Sequence, residues 1–189
     1  MKELSKYIRS LKAWSFTAVL FLCAHLSIAQ PPLPNHSHTN SAESFVNAYI
    51  LDALSIVETQ ALHFGTMTIP TSAATVILTS AGFRSVGLGT GNITLLSQTP
   101  IAKVAAYHVD GSVGATYVIH LPFSTTISNG TSSNDMTVDN FTSSKGVTNI
   151  GTLNGSGSDS FTVGATLNLA GGQPAALYTG TFNITVAYN

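Results

Sequence analysis

The sequence predicts an all-β protein, one antiparallel β-sandwich. Three observations carry the prediction. Phe161, Val163, Ala165, Leu167 and Leu169 alternate with small or polar residues, and Phe182, Ile184, Val186 and Tyr188 do the same near the chain's end. This period of two places one row of side chains in a core and the other in solvent. Clusters of Gly, Ser, Asn and Pro interrupt the chain at intervals of about ten residues, as in sandwiches and barrels. No segment beyond Leu54 carries a helical period.

Residues 1–29 read as a secretory signal. Lys2, Lys6, Arg9 and Lys12 form a basic head, residues 13–26 are mostly apolar, and Ser27-Ile28-Ala29 offers small residues for cleavage after Ala29. A membrane anchor is the competing reading, but the run is short for a span and contains His25. Leu22 stands before Cys23 where a lipobox wants a small residue, which argues against lipidation. Cys23 is the only cysteine, so cleavage leaves none, and the exported domain relies on its own core.

Beyond the signal, the basic residues are Arg84, Lys103 and Lys145. The acidic ones are Glu43, Asp52, Glu58, Asp110, Asp135, Asp139 and Asp159. With histidine neutral, the net charge is −4. Three scattered cations make no phosphate-binding surface, which excludes nucleic acid as a partner. Charged residues are 8% of the chain, against about a quarter in ordinary soluble domains. The surface is therefore built from Thr, Ser, Asn and Gly, as exposed faces of extracellular β-domains commonly are.

Residues 30–49 read as a flexible linker, proline-interrupted over residues 30–40. Phe45, Val46, Tyr49, Ile50, Ala53 and Leu54 fit a helical stripe, but Ile50, Leu54 and Ile56 also fit an extended strand, and strand from about Ile50 is preferred. One domain then spans residues 50–189. Its candidate strands are 53–59, 74–79, 91–96, 103–109, 115–121, 136–142, 160–169 and 177–188. Asp110-Gly111 is a hairpin signal expected to join the fourth of these to the fifth. The last strand is expected to pair beside an early one and to seal the core.

Residues with chemistry to offer are sparse. His36 and His38 sit in the linker, too few ligands for a closed metal site. His63, His108 and His120 lie on separate segments, and the register of Tyr117, Ile119 and Leu121 turns His120 outward. Gly155-Ser-Gly-Ser-Asp159 lacks the strand–elbow–helix setting of a serine nucleophile, and the glycines of residues 87–91 lack dinucleotide spacing. Asp135, Asp139 and Asp159 read as solvated turn residues, with a calcium site among them the alternative. Six Asn-X-Ser/Thr sequons, at Asn35, Asn92, Asn129, Asn140, Asn154 and Asn183, follow from an Asn- and Thr-rich composition. No catalytic site and no cofactor are expected.

Several motifs recur in a known order. They are Leu62-His-Phe64-Gly65, Met136-Thr-Val138-Asp-Asn-Phe141, Phe161-Thr-Val163-Gly164-Ala-Thr-Leu167 with Gly171 and Gly172, and the closing Tyr178 to Tyr188. In this order they resemble the bacterial domain-of-unknown-function family forty-four oh two. At their ends its exported domains are similar to spore-coat-U-like proteins and chaperone–usher pilin subunits. The resemblance implies an Ig-like or pilin-like antiparallel β-sandwich in which Phe182, Ile184, Val186 and Tyr188 are structural and assembly residues. The chain departs from many pilins in lacking paired cysteines and, over residues 30–40, an alternating donor strand.

The expected function is that of an exported structural or adhesive protein of the cell surface, a fimbrial-type subunit able to self-associate or to join other surface subunits. The alternative is a monomeric extracellular module binding a ligand or glycan. Secretion to the periplasm or outer surface is expected, with the membrane involved only in export. Val186→Asp is expected to destabilise severely by burying an unpaired carboxylate. Normal secretion with an unchanged melting temperature would overturn the strand assignment.

Overall fold

The computed structural model describes residues 40–87 and 91–189. The signal segment, Cys23, the linker up to Thr39 with His36 and His38, and residues 88–90 of the glycine run lie outside the described residues. The chain divides into a unit of residues 1–46 and a unit of residues 47–189. Residues 40–46 have no regular secondary structure, and every strand among the described residues belongs to the second unit.

The described residues form ten strands in order: β1 (Ser55–Gln60), β2 (Ala74–Leu78), β3 (Arg84–Val86), β4 (Ala105–Asp110), β5 (Thr116–His120), β6 (Ser124–Ile127), β7 (Met136–Ser143), β8 (Ile150–Thr152), β9 (Ser158–Leu169) and β10 (Thr185–Tyr188). Among the described residues there is no α-helix, only a single 3-10 turn at Ser132–Asn134. All pairings are antiparallel, in a seven-stranded sheet and a three-stranded sheet ordered β10-β5-β8. The predicted all-β sandwich is the fold.

β9 organises the larger sheet. Val163 is paired both with Ala105 of β4 and with Ser143 of β7, so those strands lie on opposite edges of β9. Leu167 is paired both with Val76 of β2 and with Val138 of β7. β4 and β2 therefore share one edge of β9 end to end, while β7 takes the other edge. Gly164 stands at the junction between them. A Cβ there would collide with the carbonyl oxygen of Leu78, so only glycine lets the end of β2 approach.

The odd-numbered row of β9 is buried as its alternation predicts, and it feeds two apolar clusters. Phe161 and Val163 join Ala105, Tyr107, Val109, Tyr117, Ile119 and Leu153 between the two sheets. Ala165, Leu167 and Leu169 join Phe64, Val76, Leu78, Met136 and Val138. β7 changes parity between Asp139 and Thr142 through a bulge, with Asn140 at φ 48°. The extra residue turns Phe141 inward, where it packs against both clusters.

Several sequence expectations need correcting. Residues 47–54 are neither helix nor strand, and β1 starts at Ser55 rather than near Ile50. Segment 91–96 forms only an isolated bridge, Leu95 to Met67. The hydrogen-bonded closing strand shortens to Thr185–Tyr188, with a bridge from Thr179 to Ser128 upstream. It pairs with β5, midway along the chain, not with an early strand. β3, β6 and β8 escaped notice because three- and four-residue strands carry too little alternation to register.

Asp110-Gly111 closes no hairpin. β4 belongs to the large sheet and β5 to the small one, so the chain changes sheets there. Asp159 is no solvated turn residue either. Its side chain is 16% exposed and pairs with Lys145 Nζ at 2.7 Å. The hydroxyl of Tyr117, from the opposite sheet, donates to its Oδ2 at 2.9 Å. Tyr117 is fully buried, and Gly151 leaves the space its ring occupies.

These groups set a pH window. Burial alone would raise the Asp159 carboxyl, but hydrogen bonds from Lys145, the Ser160 N–H and Tyr117, with the lysine charge, hold it below the ordinary aspartate value. Burial pushes Tyr107 up to about 12, with Glu58 adding to the shift. Burial first, then the Asp159 hydrogen bond and charge, raises Tyr117 as well. A lowered carboxylate stabilises the fold above its unfolded value and loses that contribution as pH falls through the folded one. Raised phenols contribute fully below about pH 10 and lose it as pH rises further. Stability should therefore decline below about pH 4 and above about pH 10. Asp159→Asn should flatten the acid limb in urea titrations across pH, and an unchanged limb would remove Asp159 from the account.

Candidate functional site

The smaller sheet covers only part of the larger one. Its strands have 4, 5 and 3 residues, against 12 in β9. Over Leu167 and Leu169 the cover is made of irregular segments, and between them lies an open cavity of about 580 Å³. Met136, Val138, Leu167 and Leu169 form its floor, residues 62–70 one wall and residues 173–182 the other. A smaller cavity of about 350 Å³ continues it between β1 and residues 180–184, and both share Leu62, Gly180 and Phe182. Together they make one groove beside the closing segment.

Both walls are held from behind. The Arg84 guanidinium donates to the carbonyls of Phe64 at 2.8 Å, Thr66 at 3.2 Å and Leu96 at 2.7 Å. Gly65, at φ 78°, passes close against that guanidinium. Opposite, the buried Gln173 amide donates to the Asn134 carbonyl and to the Tyr178 hydroxyl, which itself donates to the Pro174 carbonyl at 3.0 Å.

The four residues expected to be structural come together on one face. Phe182, Ile184, Val186 and Tyr188 are half-buried, while Thr181, Asn183, Thr185 and Ala187 are exposed. All four pack against the inter-sheet cluster, and the Phe182 ring lies 4.9 Å from that of Phe141. Val186 is only partly covered, so the penalty for a carboxylate there is smaller than full burial would impose.

Tyr188 does more than pack. Its hydroxyl accepts from the Ser112 N–H at 2.8 Å and donates to the Asp52 carbonyl at 2.8 Å. The ring passes over Gly111, where a Cβ would meet the hydroxyl, so this glycine serves close approach rather than a hairpin. The hydroxyl thus ties β10, the β4–β5 crossing and the chain before β1 to one another.

The remaining candidates do not assemble. Asp135, Asp139 and Asp159 do not converge, and no group of three His, Cys, Asp or Glu side chains suited to a metal occurs among the described residues. His120 is exposed, and His63 Nδ1 accepts the Gly65 N–H at 2.8 Å. Sequence reasoning missed one constellation. His108 lies 3.2 Å from Ser160 Oγ through Nδ1 and 3.1 Å from Asp110 Oδ1 through Nε2. Strand register explains it: Ser160 is the cross-strand partner of His108, and Asp110 is two residues along the same face. The trio stands on an exposed sheet surface and lines neither part of the groove.

The family model for a domain of unknown function, DUF4402, matches residues 54–188. The chain belongs to this family. The matched span of the DUF4402 domain runs from just before β1 to the end of β10, so it holds both sheets and the closing tyrosine. No curated protein and no solved structure matches the chain, and the likeness to pilin and spore-coat-U-like subunits finds no support there.

Tyr188→Phe keeps the ring and removes both hydrogen bonds. The expected cost is about 1–2 kcal/mol, a fall of several degrees in Tm on a circular-dichroism melt. An unchanged Tm would show that the hydroxyl contributes nothing.

Proposed function

We propose that this DUF4402 protein is an exported structural or adhesive component of the cell surface, a subunit of a larger surface assembly and not an enzyme. Residues 1–29 support export, and the charge-poor surface of hydroxyl and amide side chains suits the extracellular setting. The observation that carries the assembly reading is the groove. Its floor is apolar, and the side chains lining its larger part include no Asp, Glu, Lys, Arg or Cys. That set holds no pair of carboxylates and no nucleophile–base couple. The groove also runs beside backbone that makes no backbone hydrogen bonds over residues 180–184 among the described residues. Apart from the Thr181 carbonyl, which accepts from Thr125 Oγ1 at 2.6 Å, this extended backbone beside an apolar trough favours a polypeptide partner.

A monomeric binding module is the second reading, and the same apolar lining would then favour an apolar ligand over a glycan. Shearing of native cells separates the two. The surface-subunit reading expects protein beginning at Gln30, released by shear as species larger than a monomer on mild-detergent gels. Recovery solely as a soluble monomer, or inside the cell with residues 1–29 attached, would overturn it.

A further inference from the structure

We propose that Asn154 is a self-modification site, at which the side chain closes on the Gly155 nitrogen and reopens as isoaspartate in the turn between β8 and β9. The site needs no partner and does not depend on the surface-subunit reading.

The chain has two Asn-Gly pairs, Asn129-Gly130 and Asn154-Gly155. In such a pair the asparagine amide is open to attack by the next backbone nitrogen, because glycine has no side chain to bar the approach. In an unfolded chain the two pairs would react alike. The fold separates them.

At Asn154 the electrophile is held and polarised. Its Oδ1 accepts the Ser156 N–H at 2.8 Å and the Ser158 N–H at 3.2 Å. Its Nδ2 donates to Ser158 Oγ at 3.2 Å. The bond to Ser156 closes an Asx turn, and that ring holds Cγ across from the Gly155 nitrogen. Two N–H donors on one carbonyl oxygen are what a tetrahedral oxyanion requires. The turn's own backbone keeps them in place: the Asn154 N–H donates to the Ser158 carbonyl and the Gly157 N–H to the Asn154 carbonyl, each at 2.9 Å. The nucleophile is free. Among the described residues the Gly155 N–H has no acceptor, nothing lies within 4 Å of a Cβ built there, and both Asn154 and Gly155 are exposed.

At Asn129 the arrangement is the opposite. Its Oδ1 accepts one backbone N–H, from Thr131 at 3.0 Å, and the Gly130 N–H is engaged by Ser128 Oγ at 3.1 Å. Its Nδ2 is tied to the Tyr178 hydroxyl at 3.3 Å. Asp110-Gly111, capable of a similar closure, has its glycine N–H bound to the Gly157 carbonyl at 2.8 Å.

The chemistry balances with water alone. Solvent base removes the Gly155 amide proton, the nitrogen bonds to Cγ, and Oδ1 takes up the negative charge between its two donors. Collapse breaks the Cγ–Nδ2 bond, and that nitrogen leaves as ammonia after gaining a proton from water. A water molecule then opens the succinimide. Where it breaks the bond from the Gly155 nitrogen to the main-chain carbonyl carbon, the chain runs on through Cβ and Cγ as isoaspartate. That extra backbone carbon falls in a fastened turn, since the Gly157 carbonyl receives the Gly111 N–H and Gly111 lies against Tyr188. The product therefore loosens the Tyr188 end of the domain.

Hydroxylamine, which cuts a chain at a succinimide, tests this on the exported protein at mildly alkaline pH. With the fold intact, the cut between Asn154 and Gly155 should run about tenfold or more faster than that between Asn129 and Gly130, since a single oxyanion donor is worth at least that in rate. In guanidinium the two cuts should proceed at similar rates. Equal cutting in the folded protein, or faster cutting at Asn129, would overturn the proposal. So would cutting at Asn154 that accelerates on unfolding, because the turn would then be protecting the side chain. Protein aged without hydroxylamine should carry isoaspartate at 154 on peptide mapping. It should also melt below Asn154→Asp, which has the new charge without the extra carbon. A Tm equal to that of the variant would overturn the loosening of the turn.

Discussion

The structure depends on a mismatch of lengths. β9 presents an apolar side chain to the core at every second position from Phe161 to Leu169, but the facing sheet is built from strands of 4, 5 and 3 residues. Burying the whole row is favourable at about 25 cal/mol per Å² of apolar surface, so the remainder cannot be left to water. The small sheet covers Phe161 and Val163, and irregular chain covers Leu167 and Leu169. The two apolar clusters, the split pairing edge of β9 and the open groove all follow from that mismatch. Gly164 marks the point where one regime gives way to the other.

Irregular cover raises a second problem, because its backbone polar groups need partners that a sheet would supply automatically. Arg84 answers for one wall with three charge-assisted hydrogen bonds to carbonyls, and Gln173 with Tyr178 answers for the other. Such anchoring fixes the position of each wall. The groove is therefore preorganised, which lowers the ordering cost of anything that enters it.

The sheets are joined where the sandwich is complete. Tyr117 reaches from β5 to Asp159 on β9, and Lys145 neutralises that carboxylate. Burying such a group costs free energy unless its hydrogen bonds are satisfied, and here Lys145, the Ser160 N–H and Tyr117 all donate to it. Tyr188 closes the same end by binding Ser112 and Asp52. One end of the domain is thus locked by polar clasps, while the other is open and apolar.

The alternation of residues 161–169 and 182–188 made the fold class and two strand faces legible, because period two is a local property of the backbone. The even spacing of turn residues made the number of longer strands legible for the same reason. Even the β7 bulge left a local trace, two polar residues between Val138 and Phe141. Partner choice was not local. Asp110-Gly111 has the composition of a hairpin, yet the chain there changes sheets, and the glycine answers to Tyr188, 77 residues on. Asp159 read as a turn residue because nothing beside it in sequence announces Lys145 or Tyr117. The groove was invisible for a related reason: what lies over the floor depends on which segments stand opposite, not on the floor's own residues. By itself, then, the sequence determined an all-β sandwich with a closing strand facing inward. The tertiary structure alone decided which edges pair and where the cover runs out, because those depend on contacts between segments far apart in the chain.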